Sequence, residues 1–410
     1  MELYIHIPFC LKKCEYCDFK SYVVDEEVRE SYVNLLCDHI KSEGEGLFWE
    51  KKPYLSSIYI GGGTPSLLTE DQISRIIGNV KEYFDIDENA EISIEVNPAT
   101  VTEEKAKTYV SLGINRVSIG LQSANECELK CLGRIHNYAD FEKSFSIIRN
   151  AGIKNINVDI MGAIPGQTAK TYLDTLKKVV ALNPEHISAY SLILEPGTPM
   201  FEKYYDDECL RAKGEDPKYL PTEEEERKIY HEGRRFLKEN GYLQYEISNF
   251  AKKGFECKHN IGYWNGTEYL GVGLAASSYM DFTNMGIPGF CRFNCYDDFG
   301  DYMFNGRRGE FSPKYDILSK EDMMSEFCYL GMRMTDGISR AEFKKRFDAE
   351  LDEVFEYGIK THTENGLLIS EGDNLRLSER GLDLCNMVFC DFIIEKEEEE
   401  GYDPGRYKEN

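Results

Sequence analysis

Through the first half of the chain, short runs of β-branched and apolar residues alternate with longer stretches of helical periodicity. Strands are predicted over residues 3–7, 57–61, 91–96, 116–120, 156–161 and 187–192. Helical segments are expected over about 26–43, 69–84, 102–112, 138–151 and 168–182. Thr69, Thr102 and Thr168 stand just before acidic or polar first turns, where a hydroxyl can accept from the free backbone N–H groups of a helix start. Six strand–helix units in succession imply a parallel sheet with helical crossovers. Two architectures satisfy that pattern: a sheet curled into a partial (β/α)6 TIM-like barrel, or an ordinary doubly wound sheet.

The pattern changes beyond about residue 313. Residues 320–333 and 340–358 read as amphipathic helices, with Met323, Phe327, Leu330 and Met334 at helical spacing. Two short strands follow around Gly372-Asp373-Asn374, then a last helix with Met387, Phe389 and Phe392. Helices followed by a hairpin predict a small α+β, winged-helix-like domain, in which the Met and Phe stripe is core.

The predicted strand exits concentrate polar and flexible residues. The first strand runs into Cys10 and the second into Gly61-Gly62-Gly63-Thr64-Pro65, where backbone without side chains can approach a ligand. The third carries Glu95, the fourth leads to Gln122 and the fifth holds Asp159. Chemistry at the C-terminal ends of strands is the habit of barrels. Each residue alone has a plain reading as a turn or a solvated carboxylate; their arrival at one end of successive strands favours a common ligand.

Composition narrows the partners. Acidic residues outnumber basic ones 73 to 48, a formal charge of −25, which argues against nucleic acid, whose binding depends on Lys and Arg at phosphates. No apolar run approaches the ~20 residues of a membrane helix. Part of the acidity lies in runs at 223–226 and 397–400, the latter opening an acidic tail over 396–410 that is expected to be disordered.

Cys10, Cys14 and Cys17 form a C-x3-C-x2-C motif directly after the first strand. A [4Fe–4S] cluster normally takes four cysteines, so three close ligands leave one iron open to an outside molecule. Structural zinc wants a closed tetrahedral set, and only Cys291 and Cys295 offer a similar pair. The total of 13 cysteines is odd and no apolar signal stretch precedes the motif; both suit a reducing cytoplasm better than a disulfide framework.

On its motifs the chain resembles the radical S-adenosylmethionine (SAM) proteins. It is most similar to the group that holds the oxygen-independent coproporphyrinogen III dehydrogenase and the haem chaperones. The likeness spans nearly the whole chain: YIHIPFC-x3-C-x2-C, GGGTP, IEVNP, SIGLQS, LGRIH, VDIMGAIPGQ, YSLILEPGTP and YEISNFA. It implies a partial (β/α)6 barrel, a cluster on Cys10, Cys14 and Cys17, and SAM on the open iron. It also implies SAM contacts from Tyr4, Tyr16, Gly62, Gly63, Thr64, Glu95, Gln122, Arg134, Asp159 and Ile193. Electron transfer from cluster to sulfonium would then release a 5′-deoxyadenosyl radical.

Two departures separate the chain from the dehydrogenase. Phe19 stands where that enzyme carries a fourth cysteine, and only nine residues precede Cys10. Downstream, His259-Asn260-Ile261-Gly262-Tyr263-Trp264 matches the HNxxYW signature that the resemblance associates with haem in the chaperones. His259 is a candidate iron ligand and Cys257 a possible thiolate; a packed, hydrogen-bonded loop is the plainer reading of the same residues. The remaining histidines show no ligand spacing.

The expected function is therefore a haem chaperone that binds a cluster, SAM and haem and delivers haem to an acceptor protein. The acceptor could lie at a membrane and be met peripherally. Radical oxidative decarboxylation of coproporphyrinogen III is the alternative. The expected organisation is a barrel core over 1–200, a connecting region with the HNxxYW motif over 201–312, and a C-terminal domain over 313–395. For that domain a lid or docking role is expected rather than DNA binding.

Overall fold

A computed structural model describes residues 1–46, 51–283 and 289–395; the acidic tail expected over 396–410 lies outside the described residues. Six strands lie where the alternation put them: β1 (Glu2–Ile7), β2 (Tyr54–Gly62), β3 (Asp85–Val96), β4 (Arg116–Gln122), β5 (Asn155–Gly162) and β6 (His186–Ser191). They pair in parallel, in sequence order, without a reversal. A doubly wound sheet reverses its strand order at a switch point. Right-handed crossovers in unreversed order place every helix on one face, so the partial barrel, not the doubly wound sheet, is the architecture.

The strands alternate accordingly. Leu3, Ile5 and Ile7, Ile58 and Ile60, Ile92 and Ile94, Val117 and Ile119, Ile156 and Val158 all belong to the core shared with the helices. The intervening positions are polar yet buried: Glu2 and His6, Ser57, Glu91 and Ser93, Arg116 and Ser118, Asn157. Side chains of a strand point alternately to its two faces, so one face is an apolar core and the other a polar lumen.

The crossover helices are α1 (Glu26–Gly44), α2 (Glu70–Tyr83), α3 (Glu103–Leu112), α4 (Glu126–Cys131), α5 (Tyr138–Asn150) and α6 (Ala169–Ala181). Thr69, Thr102 and Thr168 cap α2, α3 and α6, Thr69 with a full capping box through Gln72. The short α4, capped by Asn125, was not foreseen; six residues are too few to show a helical period.

The region 201–312 adds to both edges of the same sheet. After α7 (Pro199–Ala212) and α8 (Glu223–Glu239), β7 (Leu243–Gln244) and β8 (Asn249–Ala251) extend the β6 edge antiparallel. The chain then crosses to the other edge through α9 (Lys258–Asn265), and β9 (Tyr269–Val272) joins β1 in parallel. Three antiparallel strands, β10 (Ser277–Asp281), β11 (Phe290–Asn294) and β12 (Lys314–Ile317), complete a sheet of twelve. β1 and β6 do not pair, so the barrel is open.

Residues 1–317 form one compact unit and residues from 318 onward a second. In the second, the predicted hairpin exists as Leu368–Glu371 and Asn374–Leu377, turning through Gly372 at φ +59° and joined by Ile338–Ser339. The single helix expected over 340–358 is three: Arg340–Phe347, Leu351–Val354 and Glu356–Glu364. Asp348 adopts the left-handed conformation at φ 47° and ends the first. The buried face of Lys320–Gly331 carries Met324 and Cys328, one position on from the expected Met323 and Phe327.

Candidate cluster and cofactor site

β1 passes through Pro8 and Phe9 into the cysteine loop, which is closed at its base by two backbone bonds, Tyr22 N–H to Pro8 O (2.8 Å) and Cys10 N–H to Tyr22 O (3.0 Å). Its far side is held from across the barrel: Glu15 N–H donates to Leu132 O at 3.1 Å, and Met200 N–H to Glu15 O at 2.9 Å. Cys10, Cys14 and Cys17 are all half-buried and free. Among the described residues no three metal-binding side chains converge as they would on a single ion. Three thiolates fall one short of the closed set of four that structural zinc takes, and they suit a multi-iron cluster, in which each thiolate binds a different iron.

The glycine turn after β2 packs directly behind this loop. Gly63 N–H donates to Ile7 O (2.9 Å), and a Cβ on Gly63 would stand 2.7 Å from Phe9 O. Gly62 has φ +114°, and its Cβ would meet the His6 ring at 2.6 Å. Both positions therefore require glycine. Thr64 Oγ1 lies 3.6 Å from Cys10 Sγ and accepts from Asn97 Nδ2 at 2.7 Å.

Arg134 reaches the same place from the segment after α4. Its Nη2 donates to Asn97 Oδ1 and Gly120 O, both at 2.8 Å, and its Nη1 lies 3.5 Å from Cys14 Sγ. Asn97 thus ties Thr64 to Arg134. It sits inside the IEVNP motif but was not singled out from sequence, because nothing in its local pattern distinguishes it from a turn residue. Gln122 is buried at φ +64°, a conformation that costs a non-glycine residue of order 1 kcal/mol or more. Gln122 Oε1 and Arg134 Nε are both buried without a partner among the described residues. Orphaned polar atoms beside a three-cysteine loop are what a polar ligand would satisfy, so these residues fit SAM.

The two acids, Glu95 and Asp159, are each engaged by protein groups. Glu95 accepts from Tyr59 OH (2.9 Å) and Gly62 N–H (3.0 Å). Burial, and then the charge of Asp159, push its carboxyl up to about 7. Asp159 accepts from Ser118 Oγ (3.0 Å) and Asn157 Nδ2 (2.7 Å), and burial raises its pKa. Glu95 therefore anchors the glycine turn. Tyr4 OH donates to His6 Nδ1 (3.0 Å), whose Nε2 donates to Lys20 O (3.1 Å) and ties the end of the loop to β1. Tyr16 packs on the cluster of Leu132, Met161 and Leu192. Ile193, 70% exposed, follows the exit of β6.

The HNxxYW residues lie at the opposite ends of the strands. Lys252 N–H bonds Glu185 O just before β6, Lys258 Nζ bonds Asn89 O in β3, and Glu2 N–H bonds Glu268 O at the start of β1. The segment with α9 thus crosses the N-terminal mouth of the barrel. His259 is 1% exposed, its Nδ1 paired with Ser57 Oγ at 2.8 Å and its Nε2 with Tyr263 OH at 3.1 Å. Burial, followed by the charge of Arg116, lowers its pKa to about 3.

Both nitrogens of His259, the candidate iron ligand, are thus hydrogen-bonded within the protein in this structure, and the ring is buried. Cys257 is likewise buried against Glu91 Oε1 (3.3 Å), its thiol pushed up to about 12 by burial. Asn260 and Trp264 are half-buried on α9. Gly262 allows α9 to lie on Glu2, since a Cβ there would come within 2.1 Å of its carboxylate. Arg116, a buried cation near the floor, was invisible in sequence as anything but a strand start.

Residues 4–179 match the Radical SAM superfamily and residues 318–384 the HemN C-terminal domain. The heme chaperone HemW of Haemophilus influenzae is 32% identical over 97% of this chain and 98% of its own length. The chain belongs to the HemW family of radical SAM proteins. The HemW of Bacillus subtilis agrees, at 33% identity over 96% of this chain and 99% of its own. The coproporphyrinogen III oxidase HemN of Escherichia coli superposes with a TM-score of 0.80 over 96% of this chain and 89% of its own, at 23% identity; that likeness establishes the shared fold.

Proposed function

We propose that this chain is a haem chaperone of the HemW kind, which carries a [4Fe–4S] cluster on Cys10, Cys14 and Cys17, binds SAM and hands haem to an acceptor protein in the cytoplasm. The observation that carries this reading is the correspondence with HemW relatives through both units, over 97% of the chain. The site supports it. Gly62, Gly63 and Thr64 offer backbone and hydroxyl to the methionine end of SAM, with Arg134 and Gln122 supplying the polar atoms left unpaired. Tyr4, Tyr16, Glu95, Asp159 and Ile193 complete the surround. Cluster and SAM together supply one-electron chemistry; the chain's part is to orient them and exclude water.

Phe19 favours delivery over decarboxylation, because a 67% exposed phenyl ring replaces the dehydrogenase's extra thiol beside the loop. No described helix is long and apolar enough to cross a membrane, so an acceptor at a membrane would be met from the aqueous side.

The test is anaerobic. Protein with a reconstituted cluster is given SAM, a low-potential reductant and coproporphyrinogen III, and assayed for protoporphyrinogen IX and 5′-deoxyadenosine. The chaperone reading expects no porphyrin product from a SAM-binding protein, together with saturable haem uptake. Stoichiometric formation of both products would establish the dehydrogenase instead.

A further inference from the structure

Each of the three loop cysteines has a hydrogen-bond donor at its sulfur. Cys17 receives one from the backbone of Phe19, which the loop supplies by itself. The other two come from side chains on other elements. Thr64 Oγ1 lies 3.6 Å from Cys10 Sγ, and Arg134 Nη1 lies 3.5 Å from Cys14 Sγ. Thr64 follows β2 and Arg134 follows α4, yet both meet one residue, Asn97, in the turn after β3.

The amide of Asn97 dictates which way those protons point. A guanidinium only donates, so the atom facing Arg134 Nη2 at 2.8 Å is the amide oxygen. The amide nitrogen therefore faces Thr64 Oγ1, at 2.7 Å, and Thr64 accepts there. A hydroxyl has a single proton. Asn97 does not take it, and no helix-capping bond engages the Thr64 side chain, so the proton is left for Cys10 Sγ. On the other side, Asn97 Oδ1 and Gly120 O hold Nη2 at 2.8 Å each, which keeps Nη1 on Cys14. The Asn97 backbone is secured separately. Its N–H donates to Ser66 Oγ at 3.2 Å and its carbonyl accepts from Thr100 Oγ1 at 2.6 Å, so the side chain can be changed without releasing the turn.

Hydrogen bonds to the sulfurs of an iron–sulfur cluster offset the negative charge added on reduction, and so raise its reduction potential. We propose that Asn97 is a positioning residue that sets the potential of the cluster, by aiming the Thr64 hydroxyl at Cys10 and Arg134 Nη1 at Cys14. The inference rests on the cluster assignment above and not on haem delivery. It also divides the labour of Arg134: Nη1 and Nη2 are committed to Cys14 and Asn97, and the unpartnered Nε stays available to SAM.

The experiment is a redox titration of the full-length, cluster-loaded protein without SAM, followed by electron paramagnetic resonance. Wild type is compared with Asn97→Asp, Asn97→Ala, Thr64→Val and the double variant Thr64→Val/Asn97→Asp, with iron content measured on every sample. A carboxylate at position 97 accepts from Thr64 and turns its proton away from Cys10. Asn97→Asp is therefore expected to lower the reduction constant roughly tenfold or more, about 59 mV for one electron. Asn97→Ala adds no charge and is expected to shift it the same way by less. In the Thr64→Val background the effect of Asn97→Asp is expected to shrink, because the hydroxyl it would turn is gone. An unmoved potential in Asn97→Ala overturns the inference. So does a fall in Asn97→Asp that Thr64→Val leaves undiminished, since added charge alone then explains it. If Asn97→Asp assembles too little cluster to titrate, Asn97→Ala and Thr64→Val decide, and wild-type potentials in both overturn the inference. A wild type that takes up no four-iron cluster sinks the cluster assignment itself.

Discussion

His259 Nδ1 and Glu2 Oε2 stand 3.6 Å apart at the floor of the barrel without forming an ion pair. Burial raises the Glu2 carboxyl to about 8, and burial with Arg116 beside it lowers His259 to about 3, so at neutral pH both are uncharged. An uncharged pair avoids the desolvation cost of two buried charges; His259 Nδ1 bonds Ser57 Oγ instead, and Glu2 Oε2 has no hydrogen-bond partner among the described residues.

The pair makes stability depend on pH in two opposed ways. Unfolded, Glu2 releases its proton near 4.5, whereas folded it keeps it to about 8; between those values the native state binds more protons, and stability falls as pH rises. Unfolded His259 takes a proton near 6.5 and folded only near 3, so its contribution rises with pH across that window. Above pH 6.5 Glu2 acts alone. Glu2→Gln is therefore expected to flatten the decline in stability between pH 6.5 and 8, measured by urea unfolding at several pH values. An unchanged slope would show that Glu2 is ionised in the folded protein.

Gly63→Ala tests how the glycine turn holds the cysteine loop. The new Cβ would stand 2.7 Å from Phe9 O, one residue before Cys10, and backbone cannot swing away as a side chain can. The expected outcome is a folded protein of near-native circular dichroism with cluster iron reduced to less than half of wild type. Full iron content would mean that the turn and the loop adjust independently.

Glu95→Gln separates anchoring from ligand contact. Glu95 accepts from Gly62 N–H and Tyr59 OH, and a glutamine can offer only one oxygen to those two donors. With Oε1 kept on Gly62 N–H, the amide Nε2 faces Tyr59 OH, and the bond there is reversed or lost, at up to about 1–3 kcal/mol for a buried unpaired group. SAM affinity is expected to fall roughly tenfold while cluster iron stays unchanged, by equilibrium dialysis and iron assay on the same sample. Loss of iron alongside SAM would place Glu95 in support of the cysteine loop instead.

The sequence carried the strand–helix order because each strand here has one apolar face, and Leu3, Ile5 and Ile7 or Val117 and Ile119 show it in a handful of residues. Thr69, Thr102 and Thr168 were readable for the same reason, since a cap is a local contact. The choice between barrel and doubly wound sheet needed strand order, which no local pattern contains. The cysteine loop and GGGTP turn were legible as motifs, but not the contact between Gly63 and Phe9 that joins them. HNxxYW could be read as a ligand or as a plug, because a His beside aromatics looks alike in both; the crossing of 252–268 beneath the strands is a long-range feature that no local pattern contains. Asp348 hid its helix break because an isolated left-handed residue leaves the apolar spacing of 340–358 intact.

Arg116 offers a test of how the polar lumen is balanced. Its Nε and Nη1 are buried without partners among the described residues. Burial lowers its pKa, and the acidic groups around it, Cys257 and Glu91 foremost, raise it by more. With the Cys257 thiol held protonated by burial, Glu91 is the strongest remaining acidic influence on Arg116. It already accepts from Cys257 Sγ and His259 N–H at 3.3 Å each. Arg116→Met would strand that carboxylate and is expected to cost about 3–5 kcal/mol. Glu91→Gln alone strands the guanidinium and should cost a similar amount. The double variant removes both charges, so it should be more stable than either single one, with a coupling of at least ~1 kcal/mol in a cycle of urea melts. Simple additivity of the two losses would mean that Arg116 and Glu91 are compensated by other groups, and that the lumen is not balanced around this pair.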